Sequence, residues 1–224
     1  MAELFASYDI LGAFWVTILI TFWSAVGAMV LGTIAAIMRV SPVRPLQIAA
    51  SAYIEGVRNS PLTLVVFFFF FALYQLMGMT LVAPSARSST HAFLWGVVAM
   101  AVYHSAFVAE ALQSGINTVP TGQAEAARAI GLDFTQSLRE VILPQALRGA
   151  VSPLGSTMIA LTKNTTVLAT IGVAEASDVM RTMIEFRPDL LYVIFLIMAF
   201  GFVVLTLPMG MAFTALSKRL VVRR

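Results

Sequence analysis

The sequence predicts an all-α membrane protein of five transmembrane helices, N-terminus outside and C-terminus inside. Three features carry that prediction. Charged residues make up only 11% of the 224-residue chain and hydrophobic ones 59%, whereas a soluble globular domain carries about 25% charged residues. Two uncharged runs of 28 residues, Leu11 to Met38 and Leu190 to Ser217, each exceed the about 20 residues a helix needs to cross a bilayer. The 14 Lys and Arg residues are unevenly shared among the connecting segments, and that asymmetry sets orientation.

The opening stretch MAELFASYDI is acidic and lacks the basic region of a cleaved signal peptide, so the first apolar run is expected to stay on the protein as helix one. Arg39 and Arg44 follow it at once, with Pro42 and Pro45 interrupting the helix. Positive charge marks the cytoplasmic side. Helix two is predicted from near Gln47, through Tyr53, Glu55 and Arg58, to Met77, with a kink where Pro61 removes a hydrogen bond. Met79 to Thr90, with Pro84 and several serines, reads as an external loop.

Helix three, Ala92 to Leu112, repeats Ala101, Ser105 and Ala109 at four-residue spacing, a smooth stripe suited to close helix packing. Helix four runs from Gln145 to Ile171 and meets Lys163 after an uncharged stretch. Gly172 to Asp189 mixes four acids with Arg181 and Arg187 and reads as external. The second 28-residue run is helix five, followed by Lys218, Arg219, Arg223 and Arg224.

On this arrangement ten basic residues lie at the cytoplasmic face: Arg39, Arg44, Arg58, Arg128, Arg139, Arg148 and the four of the tail. Three lie outside (Arg87, Arg181, Arg187) and Lys163 lies within the membrane. The same distribution explains the net charge of +3 without a nucleic-acid-binding stripe. With no cysteine and two histidines, neither a disulfide nor a metal site is expected. Residues 1–224 read as one transmembrane domain.

One polar stretch stands apart from the hydrocarbon, TGQAEAARAIGLDFTQSLREVILP at residues 121–144. Thr121 is the expected N-cap of a helix rich in Ala, Glu and Arg that stops at Gly131. Asp133 and Gln136 have capping-box spacing for a second helix, whose limit, or the start of the next, is Pro144. Ala124, Ala126, Ala127 and Ala129 make a small-residue surface that a partner can approach closely, with Glu125 and Arg128 offering polar contacts. An interfacial amphipathic hairpin without a partner is the plainer reading.

GQAEAARAIGL, followed a dozen residues later by LPQA, resembles the EAA loop of ABC-importer membrane subunits, through Glu125, Ala126, Ala127, Gly131, Ile142, Leu143 and Pro144. The resemblance implies that a loop of about residues 118–145 lies in the cytoplasm and inserts into a groove on an ATP-binding subunit. Gly122, Glu125, Ala126, Ala127, Gly131, Leu132 and Pro144 would then carry the coupling. Tyr53-Ile-Glu55-Gly-Val-Arg58-Asn-Ser-Pro61-Leu62 and Ser105-Ala-Phe107-Val-Ala109-Glu110 resemble signatures of the polar-amino-acid branch of these permeases. FWVT, VRNSPLTLVV, ALTKNTTV and LTLPMG look closest to actinobacterial glutamate-importer subunits.

That resemblance implies a heterodimer with a homologous permease, two ATP-binding subunits, an extracytoplasmic substrate-binding protein and a bacterial plasma membrane. It also implies glutamate, or glutamine or another polar amino acid, as cargo. No GxxxxGK[ST] phosphate loop occurs, so ATP and its Mg are expected on the partner subunit. The chain itself is expected to hold no cofactor and to catalyse nothing.

Ionisable groups in or beside the spans are the remaining candidates, since a central charge costs roughly 2.5–3.5 kcal/mol and must face a partner or a wet path. Glu55 and Arg58 are three apart on one helix face and form either a local salt bridge or, with Asn59 and Pro61, a gate. Lys163, Asn164, Thr165 and Thr166, with Glu110 and Tyr103, form the expected substrate pathway. A Lys163–Glu110 ion pair is the structural alternative. His104 reads as a packed or hydrogen-bonded residue. The competing function is an autonomous ion-coupled carrier or channel, relaying a proton or ion through Glu110 and Lys163.

Overall fold

A computed structural model describes residues 7–220. The first six residues and Arg223 and Arg224 of the expected basic tail lie outside them. Among the described residues the secondary structure is entirely helical.

Helix α1, Ile10–Val40, opens where the Asp9 side chain accepts a 2.8 Å hydrogen bond from the Gly12 N–H, and it ends at Ser41 and Pro42. Helix α2, Arg44–Arg58, has a proline in its first turn, where the missing N–H has no partner to lose. Helix α3, Leu62–Phe67, continues as wide π-helical turns over Phe68–Leu76. Helix α4 is Ser88–Ile116 and helix α5 is Thr121–Ala129. Helix α6, Phe134–Gln136, runs through π-helical Ser137–Ile142 into helix α7, Leu143–Asn164, which tightens to a 3₁₀ helix over Thr165–Ile171. Helix α8 is Ala176–Phe186, and a 3₁₀ turn at Pro188–Leu190 leads into helix α9, Leu191–Leu220.

Helix α4 is the central member, packed between α1 and α7. Its small-residue stripe does what the spacing predicts: Ala101, Ser105 and Ala109 are all buried. Gly27 and Gly32 of α1 face it. A Cβ on Gly32 would sit 2.6 Å from the Ser105 carbonyl oxygen, and one on Gly27 would sit 2.8 Å from the Ala101 Cβ. In a membrane, where burial from lipid brings little, such backbone proximity supplies the dispersion contact that holds helices together. Helix α9 fully buries only Ile194 and Met198; Phe202, Met209 and Phe213 pack partly against the other helices, while Leu196, Phe200, Leu207 and Met211 stay exposed.

Among the described residues three helices are long and apolar enough to cross a membrane, Ile10–Val40, Ser88–Ile116 and Pro188–Leu220, and counting Arg44–Arg58 with Leu62–Leu76 as one broken span gives four. The predicted helix two is therefore not one kinked helix. Its halves meet at 105°, because Pro61 adopts an extended backbone and serves as the N-cap of α3 rather than as an interior kink. A proline ring disfavours helical geometry in the preceding residue as well as removing an N–H. The Ser60 hydroxyl donates to the Gly56 carbonyl at 2.7 Å and satisfies one of the free carbonyls at the broken end.

The segment after Gly172 also differs from a plain exposed loop. Glu175 is fully buried, accepts from the Asp178 N–H at 3.0 Å as the N-cap of α8, and leaves Oε2 without a partner. The adjacent Ala176 N–H donates to Thr17 Oγ1 of α1 at 3.2 Å, tying this corner to the first helix. Burial pushes the Glu175 carboxyl up to about 7, opposed by the backbone N–H groups that point at it.

Candidate functional site

The polar stretch folds as the helix, glycine corner and second helix that its residues dictate, with one correction at the start. Pro120, not Thr121, occupies the N-cap position, and Thr121 is the first helical residue with no capping bond of its own. At the other end Gly131 takes φ +89°. The Gly131 N–H donates to the Arg128 carbonyl at 3.0 Å and the Leu132 N–H to the Ala127 carbonyl at 3.1 Å. Those two bonds define a Schellman turn, which needs a residue free to enter the left-handed region. The capping box forms as the spacing predicts: the Gln136 N–H donates to Asp133 Oδ1 at 2.8 Å, and the Asp133 N–H donates to Gln136 Oε1 at 3.0 Å.

Ala127 faces inward, while Gly122, Glu125, Ala126, Arg128 and Ala129 remain exposed, and Ile130 and Phe134 stand out from the corner. Pro144 lies in the first turn of α7, immediately after the π-helical turns. A widened turn there lets the chain pass a residue that has no N–H to give. Leu138, Leu143 and Leu147 then meet Met29, Ile37 and Ile116 around an apolar crevice, so the stretch is seated on the membrane helices through hydrocarbon contacts. Its other mooring is a close crossing. A Cβ on Gly115 of α4 would lie 2.2 Å from the Ala146 carbonyl oxygen of α7.

The two sequence signatures in α2 and α4 clasp one another. Tyr53 Oη lies 2.6 Å from Ser105 Oγ and donates to the Val102 carbonyl at 3.0 Å. Arg58 forms an ion pair with Glu110 and places its guanidinium 5.6 Å from the centre of the Phe107 ring. The local Glu55–Arg58 pair read from helical spacing does not form: Glu55 is exposed and, among the described residues, makes no ion pair. Helix α2 packs against α4, and Arg58 at its C-terminal end meets a carboxylate and an aromatic face there. Asn59 and Pro61 are exposed at that corner.

Because Glu110 is engaged by Arg58, the Lys163–Glu110 pair does not form either. Lys163 is exposed at the end of α7 and, among the described residues, makes no ion pair. Its neighbours divide. Thr165 is buried with its hydroxyl on the Thr162 carbonyl at 2.8 Å, and Thr166 donates to the Lys163 carbonyl at 2.9 Å, so both are used by the backbone of the 3₁₀ turn. Asn164 instead turns toward α4.

There it joins Tyr103, His104, Phe107, Ser156, Thr157 and Ala160 around a cavity of 260 Å³. That is room for one small polar molecule. Of the expected pathway residues, Tyr103 and Asn164 reach this cavity, while Lys163, Thr165, Thr166 and Glu110 do not line it. Ser156 and Thr157, which sequence reasoning passed over, do. The adjacent hydroxyls of Ser156 and Thr157, one turn beyond Ser152 in a helix with polar residues along its length, are the signal that could have marked them. Phe107 belongs both to the cavity wall and to the Arg58–Glu110 clasp.

Comparison with known proteins agrees with this geometry. The chain is 53% identical to the glutamate transport system permease protein GluC of Corynebacterium glutamicum, over 96% of each chain. It is 35% identical to the probable glutamine ABC transporter permease protein GlnM of Bacillus subtilis, over 92% of this chain and 91% of that one. In structure it is similar to a crystal structure of an amino acid ABC transporter with histidines, at a TM-score of 0.81 and 28% identity, covering 94% of this chain and 93% of that one. Residues 28–222 match the family described as binding-protein-dependent transport system inner membrane component. That match runs from the middle of α1 through the polar stretch to the end of α9, and the chain belongs to this family of permease subunits.

Proposed function

We propose that the chain is the membrane-spanning subunit of an ATP-driven importer whose cargo is a polar amino acid, glutamate before glutamine. The observation that carries this reading is the end-to-end 53% identity to a permease named for glutamate transport. The cavity between α4 and α7 agrees with it, being lined by neutral hydrogen-bonding groups rather than by hydrocarbon alone.

The membrane is crossed five times, by α1, by the broken α2–α3 pair, by α4, by α7 with its 3₁₀ extension, and by α9. Helix α7 is the least apolar of these because one side of it lines the cavity. The N-terminus is outside and the C-terminus inside, as the basic residues at Arg39, Arg44, Arg128, Arg139, Arg148 and Lys218 require. The α5–α6 corner is then cytoplasmic, and exposed Glu125, Ala126 and Arg128 dock on a separate ATPase subunit that holds ATP and Mg. A homologous permease covers the apolar face of α9, where a groove of 710 Å³ runs alongside α7. An extracytoplasmic binding protein delivers the cargo to the opposite face.

Uptake of labelled glutamate, glutamine, aspartate and arginine into vesicles holding the full complex tests the assignment. Glutamate should accumulate only with ATP inside the ATPase compartment and with the binding protein present. Accumulation driven by an ion gradient without ATP would instead establish the autonomous carrier.

A further inference from the structure

His104 is the least explained polar group beside the cavity. It is 1% exposed, sits on α4 among apolar neighbours, and makes two hydrogen bonds. Nδ1 lies 3.0 Å from the Met100 carbonyl oxygen one turn earlier, and Nε2 lies 3.2 Å from Asn164 Nδ2. A carbonyl oxygen can only accept, so Nδ1 carries a proton. No carboxylate stands within ion-pairing distance of the ring among the described residues, and an unpartnered charge buried there would be costly. The ring is therefore neutral, with its one lone pair on Nε2.

A lone pair at Nε2 accepts only from a donor, and the Asn164 amide has one end that donates and one that accepts. The NH₂ end must face His104, which leaves Oδ1 on the other side. Asn164 makes no other side-chain hydrogen bond. The other acceptors lining the cavity are hydroxyl oxygens, of Tyr103, Ser156 and Thr157, the last of which donates to the Pro153 carbonyl at 3.1 Å, and no carboxylate lines it, so the Asn164 amide oxygen is its one side-chain carbonyl acceptor.

We propose that His104 is a positioning residue that locks the Asn164 amide with Oδ1 toward the cavity, where it accepts from the α-ammonium group of the amino-acid cargo. The Met100 carbonyl sets the imidazole tautomer, the tautomer sets the amide, and the amide presents an acceptor in a site that otherwise has only hydroxyls and an aromatic ring. The proposal rests on the amino-acid reading above.

Two amide substitutions separate this role from mere packing, because Gln can place an acceptor oxygen near the imidazole Nε2 position, whereas the shorter Asn reaches only the Nδ1 position, where its NH₂ donates to the Met100 carbonyl and no acceptor is left for Asn164. In the reconstituted complex, His104→Asn should raise the apparent KM for the amino acid by about tenfold or more, the order expected for losing a hydrogen bond to a charged group. His104→Gln should recover most of that loss. The α-hydroxy analogue of the cargo, which lacks the ammonium, should compete no better against wild type than against His104→Asn. In an Asn164→Ala background the His104→Asn change should add little.

Copurification of the ATPase subunits with each variant shows that assembly is intact. Equal KM for the two amide variants, or additive losses in the Asn164→Ala background, would overturn the positioning role while leaving amino-acid import standing. Failure of the wild-type complex to import any amino acid would instead overturn the reading beneath it.

Discussion

Gly115 offers the sharpest test of how the polar stretch, the proposed ATPase dock, is tied to the membrane helices. It lies in the last turn of α4, where a Cβ would meet the Ala146 carbonyl oxygen at 2.2 Å and both the Ala150 N and Cβ at 2.8 Å. None of these belongs to the flexible end of a side chain, so Gly115→Ala cannot be absorbed by a rotamer change. Relieving the contact to an ordinary 3.4 Å moves α7 away from α4 by about 1 Å, at a cost of about 1–3 kcal/mol for overpacking. The displacement falls at the base of α7, directly after the α5–α6 corner, so it shifts the proposed docking surface as well as weakening the fold.

The expected result in the purified complex is a lower thermal midpoint together with uptake reduced more than basal ATP hydrolysis. Gly56→Ala is the control, since its Cβ would meet nothing within 4 Å and helix propensity there favours Ala by up to about 1 kcal/mol. If Gly115→Ala matched wild type in midpoint and uptake, or behaved like Gly56→Ala, the close crossing would not be what seats the polar stretch.

Gly131→Trp should uncouple ATP hydrolysis from uptake, because it places a bulky side chain at φ +89° on the exposed corner; wild-type coupling in that variant would remove the corner from the ATPase dock. The buried Glu175 holds its proton to about pH 7 when folded, against 4.5 when free. Its contribution to stability is therefore complete below about pH 4.5 and declines as pH rises to about 7, by at most about 3 kcal/mol. Glu175→Gln should flatten the pH dependence of the thermal midpoint across that window, and an unchanged slope would refute the buried acid as its source. The Arg58–Glu110 pair is more than a third exposed on each side, so a double-mutant cycle with Arg58→Met and Glu110→Gln should give a coupling of only about 0.2–1 kcal/mol in stability. A coupling of several kcal/mol would mean that the pair is shielded in the assembled transporter.

What the residues decide by themselves here is local or one-dimensional. Hydrocarbon content makes Leu11 to Met38 and Leu190 to Ser217 membrane helices whatever they touch. The Asp133–Gln136 box and the left-handed Gly131 were legible because capping depends on three or four neighbouring positions. The Ala101, Ser105, Ala109 stripe announced a close contact because a smooth face has no other use in lipid.

Pairing across elements was not legible, because spacing along one helix cannot say which partner a neighbouring helix delivers. Arg58 had a carboxylate three residues away and pairs with one on α4, because α2 packs against α4. Lys163 lost its expected partner because Arg58 occupies it. Asn164 gained one in His104, sixty positions away in the chain, only because α7 and α4 lie side by side. Electrostatic choice between competing partners is a matter of distances through space, and those exist only once the helices have packed.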